Sequence, residues 1–295
     1  MSILGREKDF LGHRKVATVI RDGTQPMNNQ VATIWRFRHF WMSLVQLDLR
    51  LRYRRSFLGV GWSLLNPIMM TVVFCVVFSK MIKSDVIGEQ NWRIAAPVYL
   101  CGLAIWEYIS VATLTACQTF FRNESYIRQC PLPLTIYTLR SVLGATIHFG
   151  IALGVAIVSI IALNPTAWVN PFLVLWAVIP SLVLLVVFCW SVSVIAAFLN
   201  VMFQDTQQLA EVLFRIFFFL TPILYTSKQL RDQGLYMIAD YSPFAVFIEL
   251  IRDPLITGIA PEMMLFGKAM VFDAFFLGLA LLMISKLEKK LIFHL

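Results

Sequence analysis

The sequence predicts an all-α integral membrane protein: six transmembrane helices, an amphipathic interface helix ahead of the first, and a further short helix between the fifth and sixth. Three observations lead there. Hydrophobic residues make up 59% of the 295-residue chain and charged residues 14%, about half the charged share of a soluble domain. Apolar stretches of about 20 residues or more, long enough to cross a bilayer core, recur along the chain. The Lys and Arg residues fall predominantly on one side of those stretches.

Residues 1–30 mix charges with Gly23, Pro26, Asn28 and Asn29 and read as a flexible cytoplasmic tail. The remainder, 31–295, reads as a single transmembrane domain. Over residues 31–56 aromatic and basic residues interleave: Ile34, Phe37, Trp41 and Leu44 recur at helical spacing beside Trp35, Arg36, Arg38 and His39. Such a helix lies at headgroup depth with its bases facing phosphates. The segment from Leu47 to Arg54 also alternates with period two, as a strand would, but no partner edge is evident.

The spans run from about 57 to 79, 94 to 121, 141 to 163, 172 to 199, 206 to 225 and 261 to 284. The first contains no Asp, Glu, Lys or Arg and covers roughly 35 Å as a helix. Asn164-Pro165 and Asn170-Pro171 punctuate the turn between the third and fourth. Backbone exposed to lipid must satisfy its own hydrogen bonds, so each span is helical. Between the fifth and sixth, Ser242 before Pro243 reads as an N-cap with proline at the first helical position. Phe244, Phe247, Ile248, Ile251 and Leu255 then share one face, and Asp253-Pro254 and Gly258 end the helix. Too short to span, it is re-entrant or lies on the outer surface.

With the N-terminus inside, the inner segments hold 17 Lys and Arg residues and the outer segments 6. That bias puts both termini in the cytoplasm. Arg50, Arg52, Arg54 and Arg55, set directly against the first span, anchor its start among anionic lipids.

The formal charge of +8 does not indicate nucleic acid, because 11 of the 25 bases precede Ser56 and flank a span. Cys75, Cys101, Cys117, Cys130 and Cys189 are scattered singly and suggest neither disulfides nor a metal. The first 30 residues show no apolar signal-peptide core, so the first span serves as the targeting signal. There is no G-x-x-x-x-G-K-[ST] phosphate loop, no H-E-x-x-H and no D-x-D pair. The chain therefore reads as a protein without its own ATPase, catalytic or metal site. Gly150 and Gly154 form one G-x-x-x-G, a weak packing signal.

The inner loop "RNESYIRQCPLP" holds a short helix. Asn123 suits its N-cap, Glu124 its positive start and Arg128 its end, and Pro131 and Pro133 stop it. At about two turns it is unstable alone in water. It docks either on the protein's own inner face or on a partner, with Tyr126 and Ile127 as its apolar residues.

At this point a resemblance becomes specific. "DLRLRYRRSFLGVGWSLLNPIMMTVVFCVVFS" resembles the start of the first span in permeases of the polysaccharide branch of ABC-2 type exporters, which move O-antigen, capsule or teichoic acid. "YLCGLAIWEYIS", "NESYIRQCPLPLTIY", "LNVMFQDTQQLAEVLFRIFFFLTPILY" and "YSPFAVFIELIRDPL" are similar to later family segments, in the same order, so the similarity covers about residues 35–295.

The resemblance implies a homodimer in the bacterial inner membrane, with two copies of a separate ATP-binding subunit that carries the ATP and Mg. It implies a lipid-linked glycan as cargo, a coupling helix at Asn123–Pro133, and short re-entrant helices around Pro243–Leu255.

Sugar chains stack on rings, so Trp62, Trp106, Tyr108, Phe217, Phe218, Phe219 and Tyr225 are candidates for the path, against the alternative that they pack or face lipid. Three consecutive phenylalanines cannot all face one pore. Glu107, His148, Arg215, Lys268 and Asp273 are ionisable groups within spans, where charge needs a partner or a wet cavity. Glu107 and Arg215, separated by about 9 Å of depth, form either an ion pair or part of a wet path. Thr221-Pro222 is similar to a family feature and predicts a bend, a plausible gate. Two other functions compete: an ABC-2 exporter of a drug or small lipid, which the basic aromatic lead-in disfavours, and a lipid-linked sugar transferase, which would need acidic pairs where Asp205 stands alone.

Overall fold

The computed structural model describes residues 41–43, 45, 59, 61–81, 92–129, 133–163, 171–225, 227–232, 234 and 236–291. The N-terminal tail, Arg50, Arg52, Arg54 and Arg55, Pro131 and the Arg128 side chain lie outside the described residues. Of the interface helix only Trp41–Ser43 and Val45 fall within them, and these are helical.

The described elements are all helical: α1 (Gly61–Met81), α2 (Trp92–Cys117), α3 (Thr119–Arg122), α4 (Glu124–Gln129), α5 (Thr135–Leu163), α6 (Pro171–Met202), α7 (Thr206–Leu220), α8 (Ser227–Asp232), α9 (Tyr236–Tyr241), α10 (Pro243–Thr257) and α11 (Met263–Leu291). Four carry apolar stretches long enough to cross a bilayer: Ala95–Cys117, Thr135–Leu163, Val174–Met202 and Met263–Glu288. Several hydroxyls within them are satisfied by their own helix, as when Thr113 donates to the Ile109 carbonyl at 2.9 Å and Ser181 to that of Ala177 at 2.7 Å, whereas Ser193 Oγ is buried without a partner among the described residues. This lets polar residues sit in apolar surroundings without a partner helix.

The central helix is α2, which packs on α1, α5, α6, α7 and α10. Its run from Tyr99 to Trp106 is buried throughout, and Glu107 and Ser110 beyond it are half-buried. α6 is the second hub, flanked by α11, α2, α10 and α5. One apolar core joins α2, α5, α6 and α10 around Phe149, Phe188 and Phe247. Another closes the opposite end around Phe120, Ile127, Phe198 and Ile284. Gly150 and Gly154 have open space where a Cβ would project, so the G-x-x-x-G brings no described helix of this chain close.

Three element boundaries depart from the hydropathy pattern. α5 starts at Thr135, ahead of the expected 141, because Ile136 and Tyr137 amides already bond to the Pro133 and Leu134 carbonyls in a polar first turn. The second span divides at Gln118 into α2 and the four-residue α3. α7 stops at Leu220 after 15 residues, and Thr221 is extended at φ −84°, ψ 140°. Thr221-Pro222 thus terminates the helix where a bend within a span to 225 was expected. Proline has no amide to donate, and the amide of Ile223 turns instead to the Thr221 carbonyl at 2.7 Å.

α10 has the caps its sequence predicts: the Ser242 hydroxyl accepts from the Ala245 amide, Pro243 opens the helix, and Gly258 closes it at φ 71°. Pro254 lies inside its last turns and does not end it. Ala245 to Ile248 and Leu250 to Arg252 are all buried, so α10 is embedded among α2, α6 and α11 on more than the single apolar face seen in sequence.

Candidate functional site

The corner around α3 and α4 is tied to the bundle from several sides. Asn123 does not cap α4 with its side chain. Its backbone carbonyl accepts from the Tyr126 and Ile127 amides at 3.0 and 2.9 Å. The side-chain amide donates to the Thr119 carbonyl at 2.7 Å, and its oxygen accepts from Arg140 Nη1 at 3.0 Å. The direct passage from α3 into α4 leaves no extended residue to serve as an N-cap, so Asn123 braces α4 against α5 instead. Ile127 is buried in the second apolar core, with Phe120 and Phe198, while Tyr126, its neighbour, is 52% exposed. One side of this helix thus packs on the protein's own bundle, while Tyr126 is exposed. Pro133 sits in the turn leading into α5.

Further residues that the sequence reading missed extend the bracing. Asn200 of α6 donates to the Cys117 carbonyl at 2.7 Å, freed by the break between α2 and α3, and accepts from the Gln207 amide at 3.1 Å at the start of α7. Gln118 donates to Gln207, which donates to Glu211 at 3.0 Å. Glu288 of α11 accepts from the Leu134 amide at 3.1 Å, beside the α4–α5 turn. A lone Asn or Glu in an apolar or terminal run carries no spacing signal, and only tertiary contact reveals its partner.

The expected path residues separate into two groups. Trp62, Glu107 and Tyr108 line a cavity of about 310 Å³ between α1, α2 and α5, with Asn66, His148 and Phe149. Trp106, Arg215, Phe218 and Phe219 line a shallower groove of about 500 Å³ between α2 and α7. The Glu107 carboxylate accepts from Asn66 Nδ2 at 2.9 Å, so its described partner is an amide and not Arg215. Lys268 pairs with Asp240 at 3.5 Å, and Asp240 also holds Arg231 at 2.7 Å. Asp273 is buried, its carboxyl oxygens without a hydrogen-bond partner among the described residues.

The aromatic residues are mostly engaged. Trp106 is buried and meets Phe214, Phe218 and Phe244 edge-on at 5.8, 6.0 and 5.5 Å, joining α2, α7 and α10. Phe217 packs on Phe244 at 5.5 Å, Phe218 stacks with Phe74 at 6.3 Å, and Phe219 projects outward, 75% exposed. The three consecutive rings therefore point three ways. Tyr108 stacks on Phe149 at 4.7 Å, its hydroxyl paired with Thr146 at 2.9 Å.

The unwound segment after α7 is held at several of its polar groups. The Tyr225 hydroxyl donates to the Phe219 carbonyl at 2.8 Å, the position that the Ile223 amide would take in a continuing helix. Arg252 of α10, 1% exposed, donates from Nη1 to the Pro222 carbonyl at 2.7 Å and the Tyr225 carbonyl at 3.3 Å. On α2, Gly102 lies so close that a Cβ there would stand 2.7 Å from the Ile223 carbonyl oxygen. Thr221 and Pro222 are buried by these contacts.

Comparison with known proteins agrees with this architecture. Two O-antigen export system permease proteins RfbA of Klebsiella pneumoniae are 25% and 24% identical over 214 and 215 residues, each covering 72% of this chain and 78% of the relative. An O-antigen export system permease protein RfbA of Myxococcus xanthus is 26% identical over 205 residues, 69% of this chain and 75% of the relative. Residues 39–256 match the family described as ABC-2 type transporter, well over half the chain. This multi-pass membrane permease belongs to the ABC-2 type transporter family.

Proposed function

We propose that the chain is the membrane subunit of an ATP-driven exporter that moves a lipid-linked, O-antigen-like polysaccharide outward across the bacterial inner membrane. The observation that carries this reading is the braced corner at α3–α4. A helix of six residues with Tyr126 exposed and Ile127 buried is fitted to receive force from a separate ATP-binding subunit and pass it into α5 and α6. The printed names of the three relatives support the cargo class.

In this reading two copies of the chain work with two copies of the ATPase, which carries the ATP and Mg. α1 and α7 complete six spans, α7 together with Thr221–Tyr225, and the path runs between the α1 and α7 helices of the two copies. Both helices have exposed apolar faces, including Met69, Val72 and Val76 on α1 and Val212 and Ile216 on α7. α10 is a re-entrant element at the outer end, and both termini are cytoplasmic. Arg50, Arg52, Arg54 and Arg55 hold the first span at the inner face.

The test is copurification with the cognate ATPase together with surface display of the glycan. Tyr126→Ala should weaken ATPase association and export while the permease stays in the membrane at its normal level. Retained association and export after removal of residues 124–129 would defeat the reading. A pump for drugs or small lipids would instead leave surface glycan unchanged when the chain is deleted.

A further inference from the structure

Resting on that reading, we infer that the cavity between α1, α2 and α5 is a carbohydrate-binding subsite that takes one sugar unit of the exported chain. Its lining brings together Trp62, Asn66, Glu107 and His148 with the stacked rings of Tyr108 and Phe149. At about 310 Å³ it lies at the small end of the range for ligand clefts, which runs from about 300 to 1,000 Å³.

The chemistry matches a ring bearing hydroxyls. Trp62 is 53% exposed, so its indole face is available for the C–H face of a sugar. Glu107 and Asn66 already lie 2.9 Å apart, placing a carboxyl and a primary amide side by side. Such a pair offers both acceptors and donors to adjacent hydroxyls, and the second carboxyl oxygen adds further acceptor capacity. Tyr108 contributes shape only, because its hydroxyl is paired with Thr146 and its ring with Phe149.

Other occupants fit less well. The lining contains no Lys or Arg to hold a phosphate, and a carboxyl group on the wall disfavours an anionic lipid headgroup. An acyl chain would leave the polar groups of Asn66, Glu107 and His148 facing hydrocarbon. Glu107 stands about 15 Å along α2 from Cys117, at the end where α3 and α4 are braced. The subsite is thus in the half of the protein that meets cargo first.

The test uses the full permease–ATPase complex in nanodiscs and saturation-transfer NMR with methyl glycosides of glucose, galactose, mannose and N-acetylglucosamine as probes. At least one glycoside should show ring-proton transfer in the wild type. That signal should fall about ten-fold in both Trp62→Ala and Glu107→Gln and persist in Phe172→Ala, on an exposed face elsewhere. Thermal unfolding of each variant checks that the fold is intact.

Equal transfer in the Trp62 and Glu107 variants, no transfer from any probe, or displacement by glycerol phosphate at the concentration of the glycosides would overturn the subsite. Export in the host separates this outcome from failure of the broader reading. If deletion of the chain abolishes surface glycan but the variants bind glycosides normally, only the subsite falls. If deletion leaves surface glycan intact, the export function falls with it.

Discussion

Replacing Arg252 with methionine should loosen the segment after α7 more than any change of similar size on the protein's surface. Methionine fills much of the space of the arginine stem but donates no hydrogen bond. It leaves the Pro222 carbonyl, reached at 2.7 Å, and the Tyr225 carbonyl, reached at 3.3 Å, without this donor. Neither can turn to its own helix, because α7 has ended at Leu220. A short bond from a charged donor contributes about 1.5–3 kcal/mol, and the longer one about 1 kcal/mol or less. The contact with Asp253, at 3.3 Å and with that carboxylate 45% exposed, adds little. The expected loss is therefore about 2–4 kcal/mol.

Two measurements read it. Equilibrium unfolding in mixed micelles gives the global value, and hydrogen exchange of the 221–225 backbone gives the local one. If local opening governs exchange, the amides in this segment should exchange about 30- to 700-fold faster. Arg252→Lys should recover roughly half the loss, since a point charge reaches one carbonyl better than two. An Arg252→Met protein with wild-type unfolding and unchanged exchange at Ile223 and Tyr225 would refute the bracing role.

Three further changes follow from the same contacts. Gly102→Ala should destabilise by about 1–3 kcal/mol in thermal unfolding, and Ile223→Ala should not rescue it, because the atom 2.7 Å away is backbone oxygen. Asn200→Ala removes the partners of the Cys117 carbonyl and the Gln207 amide and should cost about 2–3 kcal/mol in micelle unfolding, with Asn200→Asp keeping only the acceptor for Gln207. Glu288→Ala deprives the Leu134 amide of its acceptor and should cost about 1 kcal/mol, whereas Glu288→Gln should stay close to wild type.

The sequence by itself determined the class of molecule, because bulk hydropathy and charge placement are one-dimensional properties. The apolar stretches that became α2, α5, α6 and α11 are visible as runs, and the caps of α10 at Ser242, Pro243 and Gly258 are written in adjacent residues. Local chemistry also marked a short helix at Glu124–Gln129 and a disturbance at Pro222, expected as a bend and found as the end of α7.

Partner choice belonged to the tertiary structure. Glu107 meets Asn66 of α1 and not Arg215, and Trp106 becomes a packing hub for three helices. Asn123 braces α5 through Arg140 where sequence suggested a cap. Arg252, which is not among the residues of the apolar face that sequence marks on this helix, is buried against the Pro222 carbonyl thirty residues earlier. The reason is physical. A helix interruption releases backbone groups whose need for partners is local, but the groups that meet it come from whichever helix packs alongside, and only three-dimensional packing selects that helix.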